Sequence, residues 1–141
     1  MTTQLKMDIA ALDAFLDRDF PQVRGMFGID ALTEDMLTVR LRVTDAHLRP
    51  GGTVSGPSMF GLADVAMYLA VLARIGPVGL AVTTNCSIDF MRKPAADVDL
   101  IAQARVLKMG RVLAVGDVLI QSEGQAGAVA RASLTYSIPP K

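Results

Sequence analysis

The chain has 141 residues, 51% of them hydrophobic and 20% charged, which is typical of one folded domain and excludes a disordered chain. Its 14 basic and 14 acidic residues cancel, so no strong field favours nucleic acid or an anionic membrane. The single cysteine, Cys86, and the single histidine, His47, exclude an intrachain disulfide and a zinc site built from such residues. We expect one cytoplasmic domain over residues 1–141 that binds no metal.

Residues 1–25 predict a helical extension that precedes the main fold. Over residues 8–18 the apolar side chains recur at helical spacing, and Pro21 is expected to end this helix. The first six residues, Met1–Lys6, are polar and lack the apolar core of a signal peptide.

Two strands that form a hairpin are predicted next. Met26–Leu32 has the composition of a strand, and Thr33–Asp35 has that of a turn. From Leu37 to Thr44, apolar and polar residues alternate strictly, which is the period of a half-buried strand.

A long apolar helix is expected from about Pro57 to Ala73, after a Gly- and Pro-rich loop. Ser55 or Gly56 is expected near its cap, and Pro57 suits its first turn. Apolar residues surround this helix and leave no wet face, which is typical of burial within a fold or an interface. Its apolar stretch of about 15 residues is shorter than the roughly 20 that cross a bilayer, and it carries Asp64, so we expect no membrane span.

Four further strands are predicted after this helix, and the segment Lys108–Arg111 is expected to form a tight turn between the second and the third. Consecutive strands around one apolar helix predict an α+β domain with an antiparallel sheet wrapped around that helix. One small sheet cannot cover such a helix completely, so we expect a homodimer. The expected strand ranges are Leu80–Met91, Val98–Leu107, Val112–Gln121 and Ala128–Ile138.

The sequence PGGTVSGPSMFGLAD at Pro50–Asp64 resembles the helix-start motif of PaaI-like (phenylacetate-pathway-like) thioesterases. That motif is roughly N-P-x-G-x-x-H-G-G-x-x-F-x-L-A-D. The downstream run Val82-Thr83-Thr84 through Ile88, Phe90 and Arg92, followed by Gly110-Arg111, is also similar to that family. The resemblance covers most of the chain after residue 25 and implies the hotdog fold, in which an antiparallel sheet wraps around a long central α-helix.

The resemblance also implies an activity. It implies hydrolysis of acyl-coenzyme A thioesters by homodimers that often pair into tetramers, without a cofactor, since coenzyme A is part of the substrate. It places the oxyanion-binding backbone N–H on Gly56 and the catalytic carboxylate on Asp64. Three positions depart from the motif: Arg49 replaces its Asn, Ser55 its His and Pro57 its second Gly. Pro57 lacks an N–H, but the donor that the motif needs is that of Gly56.

Asp64 is the principal catalytic candidate. Burying an unpaired carboxylate on an apolar helix is costly, so such a residue needs a compensating reason. A carboxylate can attack a thioester carbonyl or activate a water, and free N–H groups at a helix N-terminus, where Gly56 lies, can stabilise the oxyanion. The alternatives are a structural aspartate that caps backbone groups or pairs with an arginine, and a Gly56 that only caps the helix.

The spacing of these two residues predicts a shared site. Eight helical residues at about 1.5 Å each span about 12 Å, so one thioester carbon cannot contact both groups of one helix. We therefore expect Gly56 of one subunit to work with Asp64 of another across antiparallel helices, giving two sites per dimer.

Further candidates surround these two residues. Tyr68, one turn after Asp64, is expected to bind the lytic water, to donate to the carboxylate, or to be a core tyrosine. Ser58 is expected to be exposed and to assist, together with Ser55, in substrate binding. Arg49 is a candidate to pair with Asp64 or to bind a substrate carboxylate or phosphate, or is a solvated loop residue. The candidates for the coenzyme A phosphates are Arg92, Lys93, Lys108 and Arg111.

Two other functions stay open. A non-catalytic acyl-CoA or small-ligand-binding protein on the same fold is consistent with the departures at Arg49, Ser55 and Pro57. A 3-hydroxyacyl dehydratase on this fold pairs a His with an acidic helix residue, but His47 and Asp64 are farther apart than in that family, and its H-F-x-x-x-P pattern is missing.

Overall fold

The computed structural model describes residues 5–140, so the expectations for residues 1–4 and for Lys141 lie outside the described residues. Short 3-10 turns lie at Pro21–Val23 and Asp45–His47. The helices are α1 (Ile9–Asp19) and α2 (Gly56–Ile75), and the strands are β1 (Phe27–Leu32), β2 (Leu37–Leu41), β3 (Val82–Phe90), β4 (Leu100–Met109), β5 (Leu113–Ser122) and β6 (Ala130–Ser137).

The six strands form one antiparallel sheet in the order β1-β2-β4-β5-β6-β3. Helix α2 packs against β2, β3, β4, β5 and β6, so the sheet wraps around it. The predicted α+β hotdog fold is confirmed. By length and composition α2 could cross a membrane, but 61% of its most apolar window is buried inside this fold.

The start and the end of α2 follow from local chemistry. Ser55 is the N-cap, and its side chain accepts a hydrogen bond from the backbone N–H of Ser58. Pro57 lies in the first turn, where its missing N–H costs nothing. Gly76 ends the helix with a φ of 95°, a conformation that glycine adopts without strain.

One stripe along α2 is not covered by the sheet and is partly exposed to solvent. The expectation that this helix is buried on all sides is therefore wrong for that stripe. Phe60 is 39% exposed, and Asp64 and Tyr68 are half-buried. These residues lie four apart and therefore share one face. The stripe stays open because the sheet ends at β3, an edge strand that pairs only with β6 and is itself largely exposed.

Most strand boundaries agree with the predictions to within two residues, and the differences have local causes. Lys108 lies within β4 and not in a turn, because a bulge between Val106 and Lys108 lets the ladder with β5 continue to Met109. Strand β2 ends at Leu41 and not at Thr44, because the N–H of Val43 binds the carboxylate of Asp99 instead of a neighbouring strand.

Candidate active site

One oxygen of the Asp64 carboxylate receives two short hydrogen bonds. The Thr83 hydroxyl on β3 donates to Oδ1 at 2.6 Å, and the Tyr136 hydroxyl on β6 lies 2.6 Å from the same atom. Thr83 and Tyr136 are direct partners in the β3–β6 ladder, so adjacent strands deliver both donors to one point. The Tyr136 hydroxyl also lies 2.9 Å from the backbone carbonyl oxygen of Asp64.

The second carboxylate oxygen, Oδ2, has a different environment. Among residues 5–140, no side chain or backbone group hydrogen-bonds to Oδ2, and none of the ion pairs includes Asp64. The alternative of an aspartate paired with an arginine, Arg49 included, is therefore wrong for the described chain. Asp64 presents one anchored oxygen and one oxygen that has no hydrogen-bond partner within the described part of the chain.

Asp64 lines an open cavity of about 430 Å³ between α2, β3, β6 and the end of α1. Asp19 and Phe20, from the helical extension, form one wall. No lysine or arginine is among the described residues that line the cavity. The full lining consists of Asp19, Phe20, Asp64, Val65, Tyr68, Gly79, Ala81, Val82, Thr83 and Tyr136.

Tyr68 lines this cavity, but its hydroxyl donates to the carbonyl oxygen of Gly79 at 3.1 Å. Among the three alternatives for Tyr68, this bond favours a tyrosine whose hydroxyl is satisfied within the fold, and Tyr136 makes the bond to the carboxylate instead. The Tyr68 ring lies between Phe20, at 6.5 Å and edge-on, and Tyr136, at 6.1 Å between ring centroids. Three aromatic side chains that contact each other thus line the cavity.

Burial and the Asp64 charge shift the titration of neighbouring groups. Burial raises the pKa of Tyr136, and the adjacent Asp64 carboxylate raises it further. Burial, and then the charge of Asp64, also raise the pKa of Cys86. Tyr136 therefore stays protonated, and remains a hydrogen-bond donor, at neutral pH.

Gly56 is the first residue of α2 and does not line the Asp64 cavity. The tip of the Phe90 ring packs over it, 3.4 Å from where a Cβ would stand. Eight residues separate Gly56 from Asp64 on one helix, which is about 12 Å. One chain alone therefore does not bring the two predicted catalytic groups together.

Ser55 and Ser58 interact with each other at the helix start. The Ser55 hydroxyl donates to Ser58 Oγ at 3.0 Å and accepts from the Ser58 N–H at 3.3 Å. Ser58 is half-buried and not exposed as expected. The Ser55 side chain caps α2, and the Ser58 hydroxyl oxygen accepts the Ser55 proton.

The predicted cationic candidates lie apart from the cavity. Arg49 is exposed on the loop before α2, in a turn closed by backbone bonds to Thr53 and Gly52. The other four form two pairs at opposite ends of the sheet. Arg92 and Lys93 follow the end of β3, whereas Lys108, near the end of β4, and Arg111, in the β4–β5 turn, lie at the end of the sheet where β3 begins and are separated from β3 by β6.

His47 does not form the acid–histidine pair of a dehydratase. It is 6% exposed, its Nδ1 accepts from the backbone N–H of Thr44 at 2.9 Å, and it does not line the Asp64 cavity. The described residues therefore give this alternative no support.

Thr83 and Tyr136 are the site residues that sequence reasoning missed. Thr83 lies within the run Val82-Thr83-Thr84 that resembles the family, so a signal existed for it. Alternation along β6 places Tyr136 on the inner face, but not against Asp64, from which 72 residues separate it.

Comparison with known proteins identifies the family of this chain. Residues 51–129 match the model of the thioesterase superfamily. A Deinococcus radiodurans protein named "Putative esterase" is 34% identical over 110 residues, which cover 78% of this chain and 71% of that protein.

Solved structures are similar to this chain over most of its length. The crystal structure of a "putative thioesterase" from Silicibacter sp. TM1040 has 57% identity, a TM-score of 0.92, and coverage of 99% of this chain and 97% of that one. A mutant of the phenylacetic acid degradation protein PaaI from Thermus thermophilus has 28% identity, a TM-score of 0.71, and coverage of 84% and 99%. The chain belongs to the thioesterase superfamily.

Proposed function

We propose that the protein hydrolyses acyl-coenzyme A thioesters to a free acid and coenzyme A. Asp64 acts as nucleophile or general base, and the N–H of Gly56 from a second subunit stabilises the oxyanion. The observation that carries the proposal is the environment of Asp64, which is anchored through Oδ1, has no partner at Oδ2 among residues 5–140, and lines a cavity that contains three aromatic residues.

Two routes are chemically consistent with this carboxylate. As a general base, Asp64 takes a proton from water while the water oxygen attacks the thioester carbonyl, and the collapsing intermediate expels the thiolate, which takes up the proton. As a nucleophile, Asp64 attacks the carbonyl itself, the thiolate leaves, and water then cleaves the mixed anhydride. Both routes develop negative charge on the carbonyl oxygen, where a donor at a helix N-terminus would act.

We further propose that the active form is a homodimer, with dimers pairing into a tetramer. Support comes from the edge strand β3 and the uncovered stripe of α2, where Phe60, Val82 and Phe90 are 39%, 55% and 51% exposed. Exposed apolar groups in one region favour an interface. A second copy placed there with its α2 antiparallel would bring its Gly56 towards Asp64.

Coenzyme A phosphates need cations, and the cavity offers none among its described lining residues. We propose that Arg92 with Lys93, or Lys108 with Arg111, bind these phosphates at the periphery of the cavity.

We place the reaction in the cytoplasm, where a lone thiol such as Cys86 stays reduced.

The test is thiol release from a panel of acyl-CoAs centred on uncharged acyl groups, because Asp19 and Asp64 both line the cavity. Asp64→Asn keeps the size of the side chain and removes its charge, so kcat is expected to fall by about 100-fold or more. Asp17→Asn, at an exposed acid on α1, is the matched control. Unchanged thiol release in the Asp64 variant would refute the proposal.

A ligand-binding protein without catalysis is the second candidate, favoured by the position of Arg49. This residue replaces the motif's Asn and lies exposed, away from the cavity. Titration calorimetry with acyl-CoAs distinguishes the two functions, because binding without thiol release would leave only the binding role.

A further inference from the structure

We propose that Tyr136 is a positioning residue which, together with Thr83, anchors Oδ1 of Asp64 and thereby makes Oδ2 the reacting atom. This inference rests on the proposed hydrolase function and adds to it the identity of the reacting oxygen and of the residue that selects it.

Tyr136 contacts both the side chain and the backbone of Asp64. Its side chain is 2% exposed on the inner face of β6, so its position is fixed by packing. Its hydroxyl lies 2.6 Å from Oδ1 and 2.9 Å from the carbonyl oxygen of the same Asp64. The shorter distance is that of a charge-assisted O–H···O⁻ bond, so the single phenol proton goes to the carboxylate. Contact with side chain and backbone together restricts rotation of the carboxylate about its side-chain bonds.

The two donors make the carboxylate oxygens unequal. Oδ1 accepts from both Thr83 and Tyr136, so its accessible lone pairs are engaged. Oδ2 has no partner among residues 5–140, and Asp64 lines the open cavity. Oδ2 is therefore the atom that is free to take a proton from water or to attack a carbonyl carbon. Holding this atom still lowers the barrier by orientation, because a misplaced reacting group loses rate steeply.

Neighbouring hydroxyls do not share this role. The Tyr68 hydroxyl is taken by the Gly79 carbonyl, and the Thr84 hydroxyl donates to the Thr135 carbonyl. Thr84 directly follows Thr83 in the chain but lies outside the cavity lining. It therefore provides a matched control one position away.

Tyr136→Phe removes the hydroxyl and keeps the ring. Because Tyr136 acts on Asp64 and not on the substrate, we expect kcat to fall by about 10- to 100-fold while KM changes by less than about twofold. Thr83→Val is expected to give a smaller loss of the same kind, and Thr84→Val none. Thermal unfolding of each variant shows whether it folds. If Tyr136→Phe does not fold, Thr83→Val is compared with Thr83→Ser, which keeps a hydroxyl. The inference then predicts a lower kcat at nearly unchanged KM for Thr83→Val and not for Thr83→Ser.

A double-mutant cycle with Asp64→Asn separates positioning from general damage to the fold. If Tyr136 acts through the carboxylate, Tyr136→Phe leaves the residual rate of the Asp64→Asn enzyme unchanged. An equal fold-loss in both backgrounds would overturn the inference, as would a rise in KM at constant kcat. Failure of the proposed function looks different, since wild-type protein would then release no thiol from any acyl-CoA, and the inference would fall with it.

Discussion

Ser55 occupies the position of the motif's histidine, and the structure gives it a helix-capping role. Its hydroxyl accepts from the N–H of Ser58 and donates to the Ser58 hydroxyl. The backbone of Ser55 is extended, at φ −74° and ψ 156°, which is the usual N-cap conformation. The residue therefore fixes where α2 begins, and so where the Gly56 N–H stands.

Replacing Ser55 is expected to loosen this helix start. Ser55→Ala removes the acceptor for the Ser58 N–H and should lower the free energy of unfolding by about 1 kcal/mol, whereas Ser55→Asp keeps an acceptor and should lose much less. Urea unfolding monitored by circular dichroism measures both variants. Equal losses for Ala and Asp would contradict a capping role.

The sequence marks Asp64 and Gly56 as candidates, but its periodicity does not place the donors around Asp64. Period-two counting back from Phe90 along β3 passes through Ile88 and Cys86 and would place Thr84 inward. A bulge between Thr83 and Asn85 shifts the phase, so Thr83 faces Asp64 instead. Nothing local in the sequence marks this bulge, because it is set by pairing with β6.

At the scale of elements, α2 lies close to β5 because residue 116 is a glycine. A Cβ there would stand 2.5 Å from the carbonyl oxygen of Arg105 and would collide with the Met67 side chain. The Met67 side chain can move, but the Arg105 oxygen belongs to the neighbouring strand. The glycine thus sets the distance between the central helix and its sheet.

Gly116→Ala is therefore expected to destabilise the fold. Overpacking of this kind typically costs about 1–3 kcal/mol, because the backbone of β4 or the whole of α2 must shift. Gly61→Ala is the control, since a Cβ on Gly61 meets no atom within 4 Å and a helical alanine is favourable. Chemical denaturation of both variants tests the prediction, and comparable stability of the two would contradict it.

Element order was predictable where the periodicity is strong, and boundaries were less so. The apolar run of α2 and the alternation of β2 identified these elements from residue types alone. The β4–β5 turn was placed too early because the bulge at Val106 and Lys108 extends the ladder by pairing, which a single strand does not reveal. Pairing between distant segments, and not local propensity, decides such ends.

At the scale of the whole molecule, the described chain contains both predicted catalytic groups but holds them apart. Asp64 lies in the cavity, whereas Gly56 lies under Phe90 at the start of the same helix. Neither group can move to the other within a rigid helix. If Gly56 takes part in the reaction, it must do so in a site formed with another copy of the chain.

Mixed oligomers test this division of labour. Gly56→Pro removes the N–H, and proline is accepted at the first helical position after the extended backbone of Ser55. A side chain at position 56 also crowds the ring of Pro57, and Gly56→Ala controls for this crowding because it shares it and keeps the N–H. Loss of an oxyanion donor should lower kcat by about 100- to 1,000-fold, whereas Gly56→Ala keeps the N–H and should lose far less.

Mixing inactive Gly56→Pro and inactive Asp64→Asn subunits should restore about one quarter of wild-type activity. This follows because half of the random dimers are mixed and one of their two sites is then intact. If native mass spectrometry shows that the subunits exchange and activity still does not return, the oxyanion donor and Asp64 belong to the same chain, and a different N–H must serve the cavity.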